Sequence, residues 1–442
     1  MDRDDSMKTA HYALLLLVLT YVLNYIDRNI LAVMIEPIKR EFDATDTQMG
    51  LLTGIFFSAL YVGCSIPIGR IADRTTRSGV IAVSCALWSV MTMACAAATN
   101  FWQMALIRMG VAIGEAGGTP ATLSLIADLY PPRRRAFAMS VYTVAPLFGA
   151  FLGVAGGGWL AAHYGWRNAF IAAGLPGLLL GLVIWLTVKD PPRGRWEEGH
   201  VATEVPAAQA DTLGQSIRRI WSMPVFRMIT VAMAMACFFG SALNAWGVSF
   251  LVRTHGAVLQ DAGMIVGSVT IAFGVAGTLF SGWLCDRLVR RDVRWQLGLP
   301  AVGMLLSVPI SMAYFLWPVG PGFTMFGVTV PEAVFFLMLY ALINMWWMGL
   351  GFTAVSKVVP AHLRSVANAF LNTVIGLIGL GMGPTFVGLL SDVFAPHAGQ
   401  DALRYALAFT AATAVIPAYF FARAIAPYAR GRLTDAAMAA AG

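Results

Sequence analysis

The sequence predicts an all-α integral membrane protein that crosses the bilayer about twelve times, in two six-helix halves. Three observations carry this expectation. The 442 residues are 58% hydrophobic and only 12% charged, against about 25% charged in ordinary soluble domains. Apolar stretches of roughly 20 residues, the length of a bilayer-crossing helix, recur near residues 10–37, 47–69, 79–99, 102–129, 136–162, 167–188, 225–252, 262–285, 295–317, 332–356, 364–391 and 404–425. Short polar motifs that follow the second and fourth stretches return after the eighth and tenth. Little chain is left over for a soluble domain.

Taken in order, the first stretch is too long, and carries its charges too centrally, for a cleaved signal peptide. It is expected to stay as helix 1. Inside it, LNYIDRN (Leu23–Asn29) sets Asp27 beside Arg28 where lipid is expected, at about 2.5–3.5 kcal/mol per charge on the mildest insertion scale. The second stretch runs into GRIADR (Gly69–Arg74), and the eighth into GWLCDR (Gly282–Arg287), so that G-x-x-x-D-R appears twice. The fourth stretch holds RMGVAIGEAGGTP (Arg108–Pro120), in which Gly110 and Gly114 have the spacing of close helix packing. It ends in YPPRRRAFA (Tyr130–Ala138), echoed after the tenth stretch by VPAHLRSVA (Val359–Ala367), with Pro131 answering Pro360 and Arg135 answering Arg364. The glycines of GAFLGVAGGG (Gly149–Gly158) in the fifth stretch also read as packing residues. After the sixth, KDPPRGRWEEGHVATEVPAAQADTLGQSIRR (Lys189–Arg219) interrupts the apolar pattern as a polar linker. The expected organisation is a first bundle over 1–188, a cytoplasmic linker over 189–222 and a second bundle over 223–442.

A net charge of +7 invites a nucleic-acid partner, but its distribution argues against one. Arg70, Arg74 and Arg77 share one connection, Arg133–Arg135 another, and Arg287, Arg290, Arg291 and Arg294 a third, all on one side when helices are counted from the N-terminus. The opposite connections TNFW (Thr99–Trp102) and WPVGPGFTMFGVTVP (Trp317–Pro331) carry no Lys or Arg. This bias places both termini in the cytoplasm of a cell (inner) membrane, and the lipid bilayer alone accounts for it. Cys64, Cys85, Cys95, Cys237 and Cys285 are scattered within the stretches and read as packing residues. The six histidines lie in termini, linker or helix ends, away from any serine or acid constellation, so an intramembrane enzyme is not expected. No metal or other cofactor is expected either, only protons as a coupling ion.

GRIADRTTR (Gly69–Arg77), together with the repeat and the span count, resembles the major facilitator superfamily, whose loop motif between helices 2 and 3 runs roughly G-x-L-a-D-r-x-G-r. The sequence departs from it at Thr76, where the family has glycine. The resemblance covers essentially the whole chain. It implies two parallel six-helix repeats with a binding site at mid-membrane, and a cytoplasmic gate at Gly69, Asp73, Arg74 and Arg77, with Asp286 and Arg287 in the second half.

The mid-membrane ionisable residues, Asp27, Arg28, Arg108 and Glu115, all belong to the first half. Seven residues turn a helix by about 700°, so Arg108 and Glu115 share a face about 10 Å apart, on a stripe that Thr119 completes. Thr20, Asn24 and Asp27 form a similar stripe on helix 1, while Arg28 is turned about 100° away. Neighbours so turned do not pair, so each needs its own partner or a wet cavity. A structural ion-pair network is the bland reading. The functional one is stronger, because intramembrane acids mark proton or substrate routes. Asp27 and Glu115 are therefore the expected proton sites and Arg108, with Arg28 adjoining, the expected anchor for a phosphate or carboxylate. The second half offers only isolated polar or amphipathic groups, Asn244 and Trp246 on helix 7, Asn344 and Trp346 on helix 10, and Asn372 on helix 11. One charged wall and one largely apolar wall suit an amphipathic anion.

NYIDRN (Asn24–Asn29), RMGVAIGEAGGTP and GWRNAF (Gly165–Phe170) resemble the spinster branch of the superfamily, transporters of sphingolipid and lysolipid signals. The resemblance implies coupling and binding roles for Asp27, Arg108 and Glu115. The use of arginine far more than lysine suits a bacterial member. The expected function is proton-coupled transport of a lysophospholipid or sphingoid phosphate by alternating access, in a monomer. The alternative is a proton symporter of organic anions such as sugar acids, whose members share the helix 1 acid and the helix 4 R…G…E pattern.

Overall fold

A computed structural model describes residues 3–193, 195–196, 212–325 and 327–441. They are almost wholly helical, and the one sheet among them is a hairpin pairing Phe323–Met325 with Val328–Val330. The described residues fall into two compact units, one within Met1–Glu204 and Val258–Gly267, the other within Val205–Ala257 and Ser268–Gly442. Of the expected linker over 189–222, residues 194 and 197–211 lie outside the described residues.

Among the described residues nine continuous helical runs are long and apolar enough to span a bilayer. Two of them, Pro132–Thr187 and Arg364–Gly431, hold two passes each. Helix 4 is two pieces, each too short to qualify alone, and supplies the twelfth pass.

In the first unit, helix 1 is Arg3–Phe42, helix 2 comprises Asp46–Thr53 and Ile55–Arg74, and helix 3 is Arg77–Cys95. Helix 2 opens on a capping box, in which Thr45 Oγ1 accepts from Gln48 N at 3.2 Å and Gln48 Oε1 accepts from Thr45 N at 2.9 Å. Helix 4, expected as one stretch, breaks between Phe101–Ala116 and Gly118–Leu129. AGGTP explains it: Pro120 has no N–H for the Ala116 carbonyl and clashes with it, and Gly117–Gly118 bends at little strain. Helix 5 runs from Pro132 and widens to π geometry over Leu152–Gly156. It turns into helix 6 at Gly165, whose φ of 81° is a left-handed conformation that a Cβ would strain. Trp166 and Arg167 tie that turn to helix 1 by donating to Glu41 at 2.7 Å and 2.6 Å.

In the second unit, helix 7 is Pro224–His255 and helix 9 is Trp295–Leu316, while helix 8, Leu259–Val289, has its first turns, to Gly267, in the first unit. Helix 10 comprises Val334–Asn344 and Trp346–Val358, broken at Met345. Helix 11 runs from Arg364 through a π segment, Ile375–Met382, to Ala398, and helix 12 begins at Ala402. A large apolar core of Phe226, Met233, Trp347, Leu371, Phe421 and their neighbours holds helices 7, 10, 11 and 12. Large apolar side chains such as Leu106, Leu186, Leu279 and Tyr419 stand exposed, as lipid-facing surfaces require.

The repeat seen in the motifs extends to the packing of each unit. Glycines of helix 5 press onto helix 1: a Cβ on Gly149 would meet Val22 O and the Tyr25 side chain, and one on Gly153 would meet Ile26 O and the Asn29 side chain. In the second unit Gly379 meets Ala234 O and the Cys237 side chain, and Gly383 meets Phe238 O and the Ser241 side chain. One offset of 212 residues therefore carries helix 1 onto helix 7. An offset of 229 carries Pro131 onto Pro360, Leu129 onto Val358, and the break at Gly117 onto the break at Met345 within one residue.

Candidate functional site

The four mid-membrane charges singled out in the first unit form two crossed pairs between helices 1 and 4. Arg108 Nη1 donates to Asp27 Oδ2 at 3.1 Å and to Oδ1 at 3.3 Å, and Thr92 Oγ1 of helix 3 donates to Oδ1 at 2.6 Å. Arg28 Nε donates to Glu115 Oε2 at 2.5 Å. Each of the adjacent residues Asp27 and Arg28 thus finds its own partner, on the shared face of helix 4 that carries Arg108 and Glu115. Local packing sets this up. Gly114 brings helix 4 against the Trp88 backbone, where a Cβ would lie 2.7 Å from the nitrogen, one turn before Thr92.

The pairs differ in how completely they are satisfied. Both oxygens of Asp27 accept hydrogen bonds, and the residue is 2% exposed. Glu115 is as deeply buried, yet its Oε1 has no partner. Arg108 likewise has a buried Nε that donates to nothing. Arg28 keeps 19% of its side chain exposed and is ringed by aromatic faces, with Tyr61, Phe57 and Tyr25 centroids 4.4, 5.2 and 5.5 Å from its guanidinium carbon. Such faces stabilise a cation where water is scarce. Sequence reading missed this ring, and Tyr25 at one helical turn from Arg28 was its only local signal. Asn24 is buried on the helix 1 stripe, and Thr119 stands just past the helix 4 break.

The polar groups singled out in the second unit divide. Trp246 donates to Pro384 O at 3.0 Å and Trp346 to Leu342 O at 2.8 Å, so both indole N–H groups are engaged with backbone. Asn372 is exposed and donates to Asn368 O at 2.9 Å. Asn244 is exposed on helix 7. Asn344 differs: it is 5% exposed and its Oδ1 has no partner. Among the buried groups of the second unit that share its condition are Tyr340 Oη and Trp347 Nε1 on helix 10, besides Ser249 Oγ and Tyr314 Oη.

Of the gate residues, Arg77 is the organiser. It pairs with Asp128 at the end of helix 4 and donates to Pro191 O at 2.9 Å, while Asp190 accepts from the backbone N–H groups of Arg77 at 2.5 Å and Ser78 at 2.9 Å. The segment after helix 6 is thereby fastened across the start of helix 3 and the end of helix 4, with Trp196 Nε1 donating to Asp128 O at 2.9 Å. Gly69 and the exposed Arg74 lie on the last turns of helix 2, as does Asp73, whose side chain is outside those described. Asp286 and Arg287 are exposed at the end of helix 8, Arg287 over the Trp283 ring at 5.8 Å.

The family profile described as Major Facilitator Superfamily matches residues 17–384. The chain belongs to the major facilitator superfamily. An MFS-type efflux pump of Mycolicibacterium smegmatis is 33% identical over 430 residues, 95% of this chain and 94% of the pump. Protein spinster homolog 1 of Xenopus laevis is 27% identical over 436 residues, 92% of this chain and 79% of that protein. The crystal structure of a bacterial homolog to the human lysosomal transporter spinster, inward-facing and unoccupied, superposes with a TM-score of 0.82 at 30% identity, covering 94% of this chain and 97% of that one. A D-xylose-proton symporter, at 18% identity and a TM-score of 0.67, shares the fold. This facilitator is thus a multi-pass membrane transporter homologous to the spinster proteins, and its fold and relatives are those of transporters rather than enzymes.

Proposed function

We propose that this facilitator carries an amphipathic anionic lipid, of the lysophospholipid or sphingoid phosphate class, in exchange for work done by protons. It acts as a monomer in the cell (inner) membrane by alternating access, with both termini in the cytoplasm. The observation that carries the reading is a difference between the repeats. Positions 27, 28, 108 and 115 hold Asp, Arg, Arg and Glu, whereas the positions matched to them in the second unit hold Phe239, Gly240, Leu337 and Asn344. The second unit builds the same helix contacts without a charge, so the fold does not require the charges of the first. Intramembrane charges kept without structural need mark a proton or substrate route.

The geometry suggests a division of labour. Arg28, the most open of the four, takes the anionic head; Glu115, with one oxygen unpartnered, takes the proton. An anion on Arg28 displaces Glu115, and a proton on Glu115 releases Arg28, so the two binding events reinforce one another. Arg108 is the second anchor. Asp27 holds it in place and becomes a proton site when Arg108 turns to the ligand. Kinship with the spinster proteins supports a lipid.

Purified protein in liposomes with an imposed pH gradient tests this, using a labelled lysophospholipid against a panel of hexonates. Gradient-driven lysolipid flux that Glu115→Gln abolishes is the expected result. Hexonate flux without lysolipid flux would move the assignment to a sugar-acid symporter. Undiminished proton-driven flux in both Glu115→Gln and Asp27→Asn would remove the coupling scheme.

A further inference from the structure

The repeat correspondence singles out a second polar position, in the unit whose matched positions carry no charge. In the first unit Arg28 meets Glu115. The matched residues of the second unit, Gly240 and Asn344, also face one another. A Cβ on Gly240 would have as its three nearest neighbours Asn344 Nδ2 at 3.4 Å, Asn344 Oδ1 at 3.7 Å and Tyr340 Oη at 4.0 Å. No side chain extends from 240 toward them, whereas in the first unit a guanidinium does. Asn344 Oδ1 and Tyr340 Oη are both buried and both without a partner, on side chains 5% and 6% exposed. Tyr340 and Asn344, four residues apart, lie on one face of helix 10 and end at its break. Phe239 closes on the Tyr340 ring edge-on at 5.4 Å.

Buried polar groups normally have partners, and each exception asks for a ligand, a water or a functional reason. Asn344 Oδ1 can only accept; a phenol O–H donates as well as accepts. A hydroxyl satisfies both at once, donating to Asn344 Oδ1 and accepting from Tyr340 Oη. An anion finds no cation here, and an ammonium finds no carboxylate. We infer that Gly240, Tyr340 and Asn344 form a subsite for an uncharged hydroxyl group of the transported molecule, with Gly240 supplying the room. This rests on the transport reading above and refines its substrate class: an anionic amphiphile with a free hydroxyl.

The test compares matched ligands by equilibrium binding to the purified protein: 1-oleoyl lysophosphatidic acid and its 2-deoxy analogue, and gluconate and its mono-deoxy analogues. The wild type is expected to prefer the hydroxylated lysolipid by about tenfold or more. Asn344→Leu is expected to erase that preference while leaving the deoxy ligand's affinity unchanged. Without ligand it should be at least as heat-stable as the wild type, since it removes an unpaired buried oxygen. Gly240→Ala, which puts a methyl group against the Asn344 amide, is the second variant and should also erase the preference. Equal affinities within every pair, or a preference that survives both substitutions, overturns the subsite. Absence of lysolipid binding alongside a hexonate preference that Asn344→Leu erases overturns the lipid reading and leaves the subsite standing. Binding of none of the ligands overturns both.

Discussion

Rewriting the first repeat in the language of the second is the sharpest perturbation the structure offers. Arg28→Gly alone leaves Glu115, fully buried, without its cation, and Glu115→Asn alone leaves Arg28 facing only aromatic rings. Breaking one side of a buried pair costs about 3–5 kcal/mol, because the remaining charge is uncompensated. At roughly 2 °C per kcal/mol for a domain of about 200 residues, each single substitution should lower the melting temperature by about 6–10 °C. The double variant Arg28→Gly/Glu115→Asn removes both charges and installs the pair that the matched positions of the second unit already carry. It should recover to within about 2 °C of wild type, since replacing a buried pair as a whole is often neutral. Transport should nevertheless be absent. The assay is thermal unfolding in detergent, followed by a thiol-reactive dye on the free cysteines, four of which are buried. A double variant as unstable as the singles would mean that the first unit needs its charges to fold, and the central inference about their role would fall.

Three further outcomes follow from the same geometry. Protonating Glu115 frees Arg28, so affinity for an anion that stays charged should rise as pH falls, and Glu115→Gln should flatten that dependence; titration calorimetry at several pH values reads both. Arg77→Ala strips Asp128 and Asp190 of a buried partner, with an expected destabilisation of about 3–5 kcal/mol; the segment around Asp190–Trp196 should become the first site of limited proteolysis, and an unchanged cleavage pattern would deny Arg77 its fastening role. Gly383→Val places a Cβ about 2.3 Å from Phe238 O, where the helix 7 backbone has to give way; a loss of about 1–3 kcal/mol or more is expected by thermal unfolding.

The architecture was legible because a bilayer demands long apolar helices and a repeat leaves its motifs in the chain. Asp27, Arg28, Arg108 and Glu115 were legible for a related reason, since charge within an apolar run needs an explanation. Their pairing was not, because helical spacing fixes faces within one helix but not which helix each face meets. The break in helix 4 was written in AGGTP. The break at Met345 has neither glycine nor proline to announce it, and only the match to Gly117 across the repeat makes it intelligible. Trp346 drew notice as a polar aromatic, yet its neighbour Trp347 has the N–H without a partner. Residue type alone does not tell two adjacent tryptophans apart; helix packing does.

The asymmetry between repeats also bears on how a duplicated fold acquires a coupled mechanism. Glycine contacts between helices 1 and 5, and between helices 7 and 11, are superposable in sequence and occupy the backbone. The matched positions 28 and 240, and 115 and 344, differ completely in chemistry. Structural demands are therefore met by small residues against backbone carbonyls, leaving the side chains at the helix 1–4 and helix 7–10 contacts free to diverge. One copy took charge, and with it sensitivity to protons and anions. The other kept neutral groups, Asn344 and Tyr340, which can recognise a polar feature of a passenger without responding to pH. If proton coupling belonged to both copies, substitutions at 240 and 344 would shift the pH dependence of ligand binding as those at 28 and 115 do. A Gly240→Ala protein that alters which ligand is preferred, with the pH profile unmoved, would separate selection from coupling along the line between the repeats.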